Sequence, residues 1–150
     1  SPRITVTVFN DSGSALTSGS VVVWDNDDTE FDLTGYPYVT VSVTGTVDSP
    51  WTAGVTLDNS CADQSLCTIS TYGPTLTNMR GTFAEDTLVG SGVVANGTAD
   101  DFAAGANTCA LGMLMQDNSQ APHGGTGGTC SAVSGNPLCQ EWVFINISCL

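Results

Sequence analysis

The densest concentration of chemically capable side chains is the stretch DNDDTEFD. Asp25, Asp27, Asp28, Glu30 and Asp32 crowd together there with no Lys or Arg among them. Three chemistries suit such a cluster. Calcium takes several carboxylate and carbonyl oxygens from a flexible loop, and Asp25, Asp27, Asp28 and Glu30 offer the right atoms. The spacing lacks the glycine and the fixed ligand positions of an EF-hand. A carboxylate pair drawn from Asp25, Asp27 or Glu30 would suit glycoside hydrolysis. Such clefts want aromatic sugar platforms, whereas Trp24, Trp51 and Trp142 fall in strand-like segments that favour a core role. The third reading is that the strand VVVW (21–24) leaves the core and turns polar, with Asp side chains bonding the turn backbone. We adopt that third reading, with calcium second, and expect no cofactor.

Other nucleophilic or basic constellations are thin. A Ser–His–Asp arrangement would have to use His123, the one histidine in the chain. It lies in APHGGTGG, too glycine-rich to hold an imidazole to the tolerance a general base needs. No enzymatic activity is expected. Six cysteines, Cys61, Cys67, Cys109, Cys130, Cys139 and Cys149, make an even set consistent with disulfides. CADQSLC and CSAVSGNPLC are polar, turn-rich segments that local bridges would close, which pairs Cys61 with Cys67 and Cys130 with Cys139. Cys109 and Cys149, from two different candidate strands, remain as the long-range pair. A zinc site fits poorly, because no CxxC pair exists.

The elements that must position these residues read as β-strands. The chain has 150 residues, with 20 Thr, 15 Val and 17 Gly. β-branched residues and glycine at this density favour strands and turns over helices. The acidic residues are twelve Asp against three Glu, and Asp suits turns. We expect a single all-β domain over 1–150, a β-barrel or β-sandwich with long loops and little helix. Its parts are an N-terminal strand or arm (1–18), a core (19–119), a glycine-rich loop (120–138) and a closing strand (139–150). Period-2 alternation marks strands at 3–9 and 38–47, with further strands at 52–57, 67–73, 88–96, 109–116 and, closing the domain, 141–148. Residues 21–24 are apolar on both faces and so interior. One helical turn is expected within 98–106. No signal peptide is legible in residues 1–17, which read as an alternating strand and then a turn.

Charge limits the partners. The chain has no Lys, two Arg and a net charge of −13. Two Arg cannot neutralise enough phosphates for nucleic-acid binding, and anionic membranes are disfavoured on the same ground. No apolar run approaches the roughly 20 residues of a spanning helix.

The order of short patterns resembles the cement or decoration proteins that stud the heads of tailed bacteriophages. GSVVVWD (19–25) is followed by an alternating Val/Thr strand and AGV (53–55). ISTYGPTL (69–76), GTFAEDTLVGSGVVANGTA (81–99), ALGMLMQ (110–116) and WVFINI (142–147) come next. Within them, Gly81 to Val89 has the form G-x-x-x-x-D-x-L-V. The six cysteines and the loop 120–138 lie outside this pattern. The resemblance implies a β-tulip-like core, homotrimers at the local threefold axes of a capsid, the major capsid protein as partner, a place on the virion exterior, and no catalysis. In that setting the N-terminal strand RITVTVF is expected to make intersubunit or capsid contacts through Arg3, Ile4, Val6 and Val8. The competing reading is a secreted, disulfide-bonded β-sandwich: a carbohydrate-binding module, or a subunit of an extracellular filament or surface layer. Glycosylation-type sequons at Asn10, Asn96 and Asn146 would matter in that case.

Overall fold

A computed structural model of the chain describes residues 2–25, 35–41, 48–79, 86–92, 97–105, 107–115 and 139–149. Among the described residues, nine strands appear in chain order: β1 (Ile4–Asn10), β2 (Val21–Trp24), β3 (Tyr38–Val41), β4 (Thr52–Thr56), β5 (Leu66–Met79), β6 (Leu88–Ser91), β7 (Ala99–Asp101), β8 (Cys109–Leu114) and β9 (Cys139–Cys149). The fold is all-β, and no helix occurs among the described residues.

The sheet closes on itself. Strands β1, β3, β2, β4 and β5 follow one another, and β1 then pairs antiparallel with β5 from Ile4↔Tyr72 to Phe9↔Leu66. This is a closed five-stranded barrel. The far half of β5 starts a second circuit through β9, β8, β6 and β7, which returns to β5 at Met79↔Ala99. β5 therefore belongs to both circuits. Its first part pairs with β1 and β4, and its second part pairs with β9 from Tyr72↔Asn146 to Met79↔Cys139.

Each circuit encloses its own apolar cluster. Val8, Leu16, Val22, Val39, Ala53, Cys61, Cys67 and Ile69 fill the first. Met79, Val89, Ala99, Leu111, Leu114, Val143 and Ile145 fill the second, joined by Val21 and Val55. β2 serves both clusters, since neighbouring residues on a strand point to opposite faces: Val21 faces one cluster and Val22 the other. That explains why VVVW carries no polar face. β4 is buried along its whole length for the same reason. The register against β2 shifts between Gly54, opposite Val22, and Thr52, opposite Val23, so Ala53 is the extra residue of β4; Ala53 belongs to the first cluster and Val55 to the second.

β5 extends past the segment 67–73 expected from sequence, through Gly73 and Pro74 to Met79. Gly73 has φ +103°, and a Cβ there would run into the carbonyl of Pro2 and the backbone of Arg3. Only glycine allows that conformation and that approach. Pro74 has no N–H to give a neighbour. It sits just beyond the β1 ladder, which ends at Ile4↔Tyr72. Arg3 covers the place, donating from Nε and Nη2 to the Pro74 carbonyl at 3.2 and 2.8 Å.

The helical turn expected in 98–106 is corrected: residues 99–101 form β7, paired with β6 from Val89↔Asp101 to Ser91↔Ala99. Its short Ala-rich sequence has no helical period, and the neighbouring strand supplies hydrogen bonds that a lone turn could not. The extensions expected at 42–47 and 93–96 lie outside the described residues.

Two disulfides lie where the sequence placed them. Cys61–Cys67 clips the loop before β5 to its start, with Cα atoms 5.8 Å apart. Cys109–Cys149 joins directly opposed residues of β8 and β9, with Cα atoms 4.0 Å apart. Of the expected Cys130–Cys139 pair, Cys130 lies outside the described residues. Loop-closure entropy ranks the two bridges, because they span 40 and 6 residues. Replacing Cys109 and Cys149 together by Ala should cost about 4 kcal/mol, against about 2 kcal/mol for Cys61 and Cys67. Urea denaturation measures both; equal or reversed costs would contradict the ranking.

Candidate functional site

The outer face of the second circuit has the chemistry of a contact surface. On β9 the side chains of Trp142, Phe144, Asn146 and Ser148 point away from the buried Val143 and Ile145. On β8 the small residues Ala110 and Gly112 leave the surface low beside them. Leu88, Phe102, Met113 and Phe144 rise around this floor to form an apolar groove of about 460 Å³. The register runs the apolar surface further: Leu88 lies opposite Met113, and Met113 opposite Phe144. Phe144 packs edge-on against Tyr72 at 5.2 Å, and Tyr72 lies opposite Ile4. One apolar strip thus crosses β6, β8, β9, β5 and β1. Its large members are open to solvent, with Ile4 57 % exposed, Leu88 46 % and Met113 41 %. On an acidic chain, side chains so exposed form a contiguous patch rather than scattered single residues.

Beside the groove, a backbone clamp ties the two circuits together. Asp48 is 2 % exposed and has φ +51°, a left-handed conformation that Asp tolerates better than most residues. Its N–H donates to the Ser91 carbonyl, and its own carbonyl accepts from Cys109 N–H. Ser49 N–H donates to Ser91 Oγ at 2.8 Å. The Asp48 carboxylate accepts from Ala103 N–H through Oδ2 at 3.0 Å. Oδ1 has no hydrogen-bond partner among the described residues. It lies against Gly90, where any Cβ would collide with it. Burial pushes the Asp48 carboxyl above its ordinary value, Ala103 N–H pulls it back, and the charge of Asp101 pushes it up again.

The residues singled out from sequence fall in several places. Asp25 is half-buried at the end of β2, where its N–H donates to the Tyr38 carbonyl. Asp27, Asp28, Glu30, Asp32, His123 and Cys130 lie outside the described residues. The core role expected for the three tryptophans is corrected for Trp51, which is 50 % exposed in the turn entering β4; its N–H donates to Ser49 Oγ. Trp24 and Trp142 are half-buried. Of the residues expected at intersubunit or capsid contacts, Val8 is inside the first cluster, Val6 packs against it, and Arg3 and Ile4 are exposed. Asn10 is fully buried, and its Nδ2 donates to the carbonyls of Ser14, Cys61 and Ala62. That Asn holds the 11–14 loop and has no room for a glycan. Asn146 is exposed on β9, and Asn96 lies outside the described residues.

Asp58, Cys61 and Cys67 bring three potential metal donors together. The two sulfurs are bonded to each other, so they are not thiolate ligands. Asp58 instead accepts from Thr68 N–H at 3.0 Å.

The strip and the clamp were both missed from sequence. A signal for the strip existed: EWVFINIS is apolar on both faces, as an amphipathic closing strand would not be. None existed for Asp48, because VDSP reads as an ordinary polar turn. No family model, curated protein or solved structure matches the chain.

The raised Asp48 carboxyl sets the direction of a pH effect. A group held above its ordinary value of 3.8 in the folded state favours folding at pH below that value. The advantage is lost as pH rises through the folded value. Asp48→Asn keeps the left-handed backbone preference and an acceptor for Ala103 N–H while removing the charge. We expect it to raise the melting temperature at pH 7, with the gap to wild type closing as the pH falls below 4. A variant less stable than wild type at pH 7 would show that the buried charge is stabilising.

Proposed function

We propose that the chain is a non-enzymatic virion structural protein, a decoration or cement protein that binds the exterior of a capsid as a trimer. The observation that carries this reading is the exposed apolar strip from Ile4 through Tyr72 and Phe144 to Met113 and Leu88. A chain at −13 is held away from its copies and from other anionic surfaces by its own field. Its specific contacts must then come from short-range apolar burial, and the strip offers it on a stiff support. The sequence resemblance agrees in order. GSVVVWD leads into β2, AGV lies in β4, ISTYGPTL in β5, LVGS in β6, ALGML in β8 and WVFINI in β9. The closed sheet also suits an exposed particle, since closure removes most of the free strand edge that would template aggregation.

In this reading Ile4 and Arg3 contribute at the margin of the contact, while the rest of β1 is woven into the chain's own barrel. Deleting residues 1–10 would remove a barrel strand and test folding rather than contact. Substitutions on the outer face are the better probe.

Leu88→Asp with Met113→Asp should leave the circular dichroism spectrum intact, because both side chains are exposed. The pair should turn a trimer into a monomer in native mass spectrometry and abolish co-sedimentation with expanded bacteriophage heads that the wild-type chain decorates. A wild-type chain that is monomeric and ignores such heads would make the secreted β-module the better reading.

A further inference from the structure

On the opposite side of Trp142 from the apolar groove lies a second, smaller pocket of about 210 Å³. We propose that it binds one neutral hexopyranose unit, with Trp142 as the platform and Asn59, Gln140 and Arg3 as the hydrogen-bonding groups. The proposal goes beyond the capsid reading and does not depend on it; either can fail alone.

The composition of the walls argues for this ligand class. The pocket is built where the two circuits meet, from the start of β1, the turn before β2, the end of β4, and the β5–β9 ladder. Trp142 lies opposite Leu76 and is half-buried, so part of its indole is open beside a polar wall. A half-exposed aromatic with a wet rim suits a ligand that has an apolar face and polar edges. A pyranose ring has that shape, with C–H groups on its faces and hydroxyls around its perimeter.

The polar groups are held and partly unused. Gln140 is fixed by its Nε2, which donates to the Ser18 carbonyl at 3.0 Å and to Asn78 Oδ1 at 2.9 Å. Gln140 lines the pocket, and its Oε1 accepts from no described residue. Arg3 commits Nε and Nη2 to the Pro74 carbonyl, and Nη1 has no partner among the described residues. The same holds for the Asn59 amide and the Trp142 Nε1–H. These groups are donors and acceptors interleaved, as vicinal hydroxyls require, since each hydroxyl both donates and accepts.

Charge removes the alternatives. Among the described residues no carboxylate lines the pocket, and the Arg3 guanidinium in its wall disfavours a cationic ligand. Arg3 is the sole cation in its wall, and the net charge of −13 opposes an anionic ligand. The volume suits a single ring rather than a chain of them, so the site would take a terminal residue.

Saturation-transfer-difference NMR with methyl β-D-glucopyranoside, methyl α-D-mannopyranoside and methyl β-D-galactopyranoside tests this, with tryptophan fluorescence as the titration signal. At least one glycoside should bind with a dissociation constant on the order of millimolar, as expected for so small a ligand. Trp142→Ala should abolish the signal. Asn59 is exposed and bonds to no described residue, so Asn59→Ala keeps the fold and should weaken binding about three- to tenfold. Trp51→Ala, at the other end of β4, should change nothing. The proposal is overturned if none of the three glycosides binds well above millimolar concentration. It is equally overturned if binding survives Asn59→Ala undiminished, or is lost in the Trp51 variant.

Discussion

The structure depends on one strand being shared. β5 is the wall of two closed circuits at once, and it can be so because it is 14 residues long and passes through Gly73 at φ +103°, where only glycine lets residues 2 and 3 approach. Strands of this class are usually about half that length. The extra length lets Cys67 and Ile69 point into one apolar cluster and Met79 into the other. The antiparallel register from Tyr72↔Asn146 to Met79↔Cys139 is then what sets every outward residue of β9.

Both surface features inherit their geometry from that register. Pairing Leu76 with Trp142 and Asn78 with Gln140 puts a tryptophan and an amide side by side at the junction. Two residues on, Phe144 turns outward against Tyr72 and Met113 and builds the apolar strip. The same strand that closes the second circuit therefore divides its outer face into a polar pocket and an apolar groove. The Asp48 clamp works on the other flank, where backbone bonds to Ser91 and Cys109 fasten the turn before β4 to β6 and β8. It keeps a buried carboxylate, and the cost of that burial is borne by the packing around it.

What sequence made legible, and what it hid, follow from the range of the interactions. The all-β class was open in the Thr and Val content, and β1 and β3 in their alternation. The interior position of β2 followed from its lack of a polar face. Two disulfide pairings were readable because one set bracketed a local turn and the other was left by elimination. The longer course of β5 was hidden, because Gly73 and Pro74 are ordinary strand-ending residues. Their toleration depends on Arg3 and on a ladder from β9, both remote in sequence. β7 was read as a helical turn since its pairing with β6 carries no local signature. The exposure of Trp51 and the burial of Asp48 were hidden alike. Both lie in one turn whose shape is set by Ser49 and Ser91 bonds, and residue type alone points the other way in each case.

The central claim is that the shared strand makes the two circuits one cooperative unit. Native-state hydrogen exchange measures it directly, by comparing protected amides in residues 66–72 with those in 75–79. If β5 couples the circuits, both sets exchange through the same global opening, with equal free energies and equal denaturant dependence. If one set exchanges through a markedly cheaper opening while the other stays protected, the circuits are separate units that happen to touch, and the account is wrong.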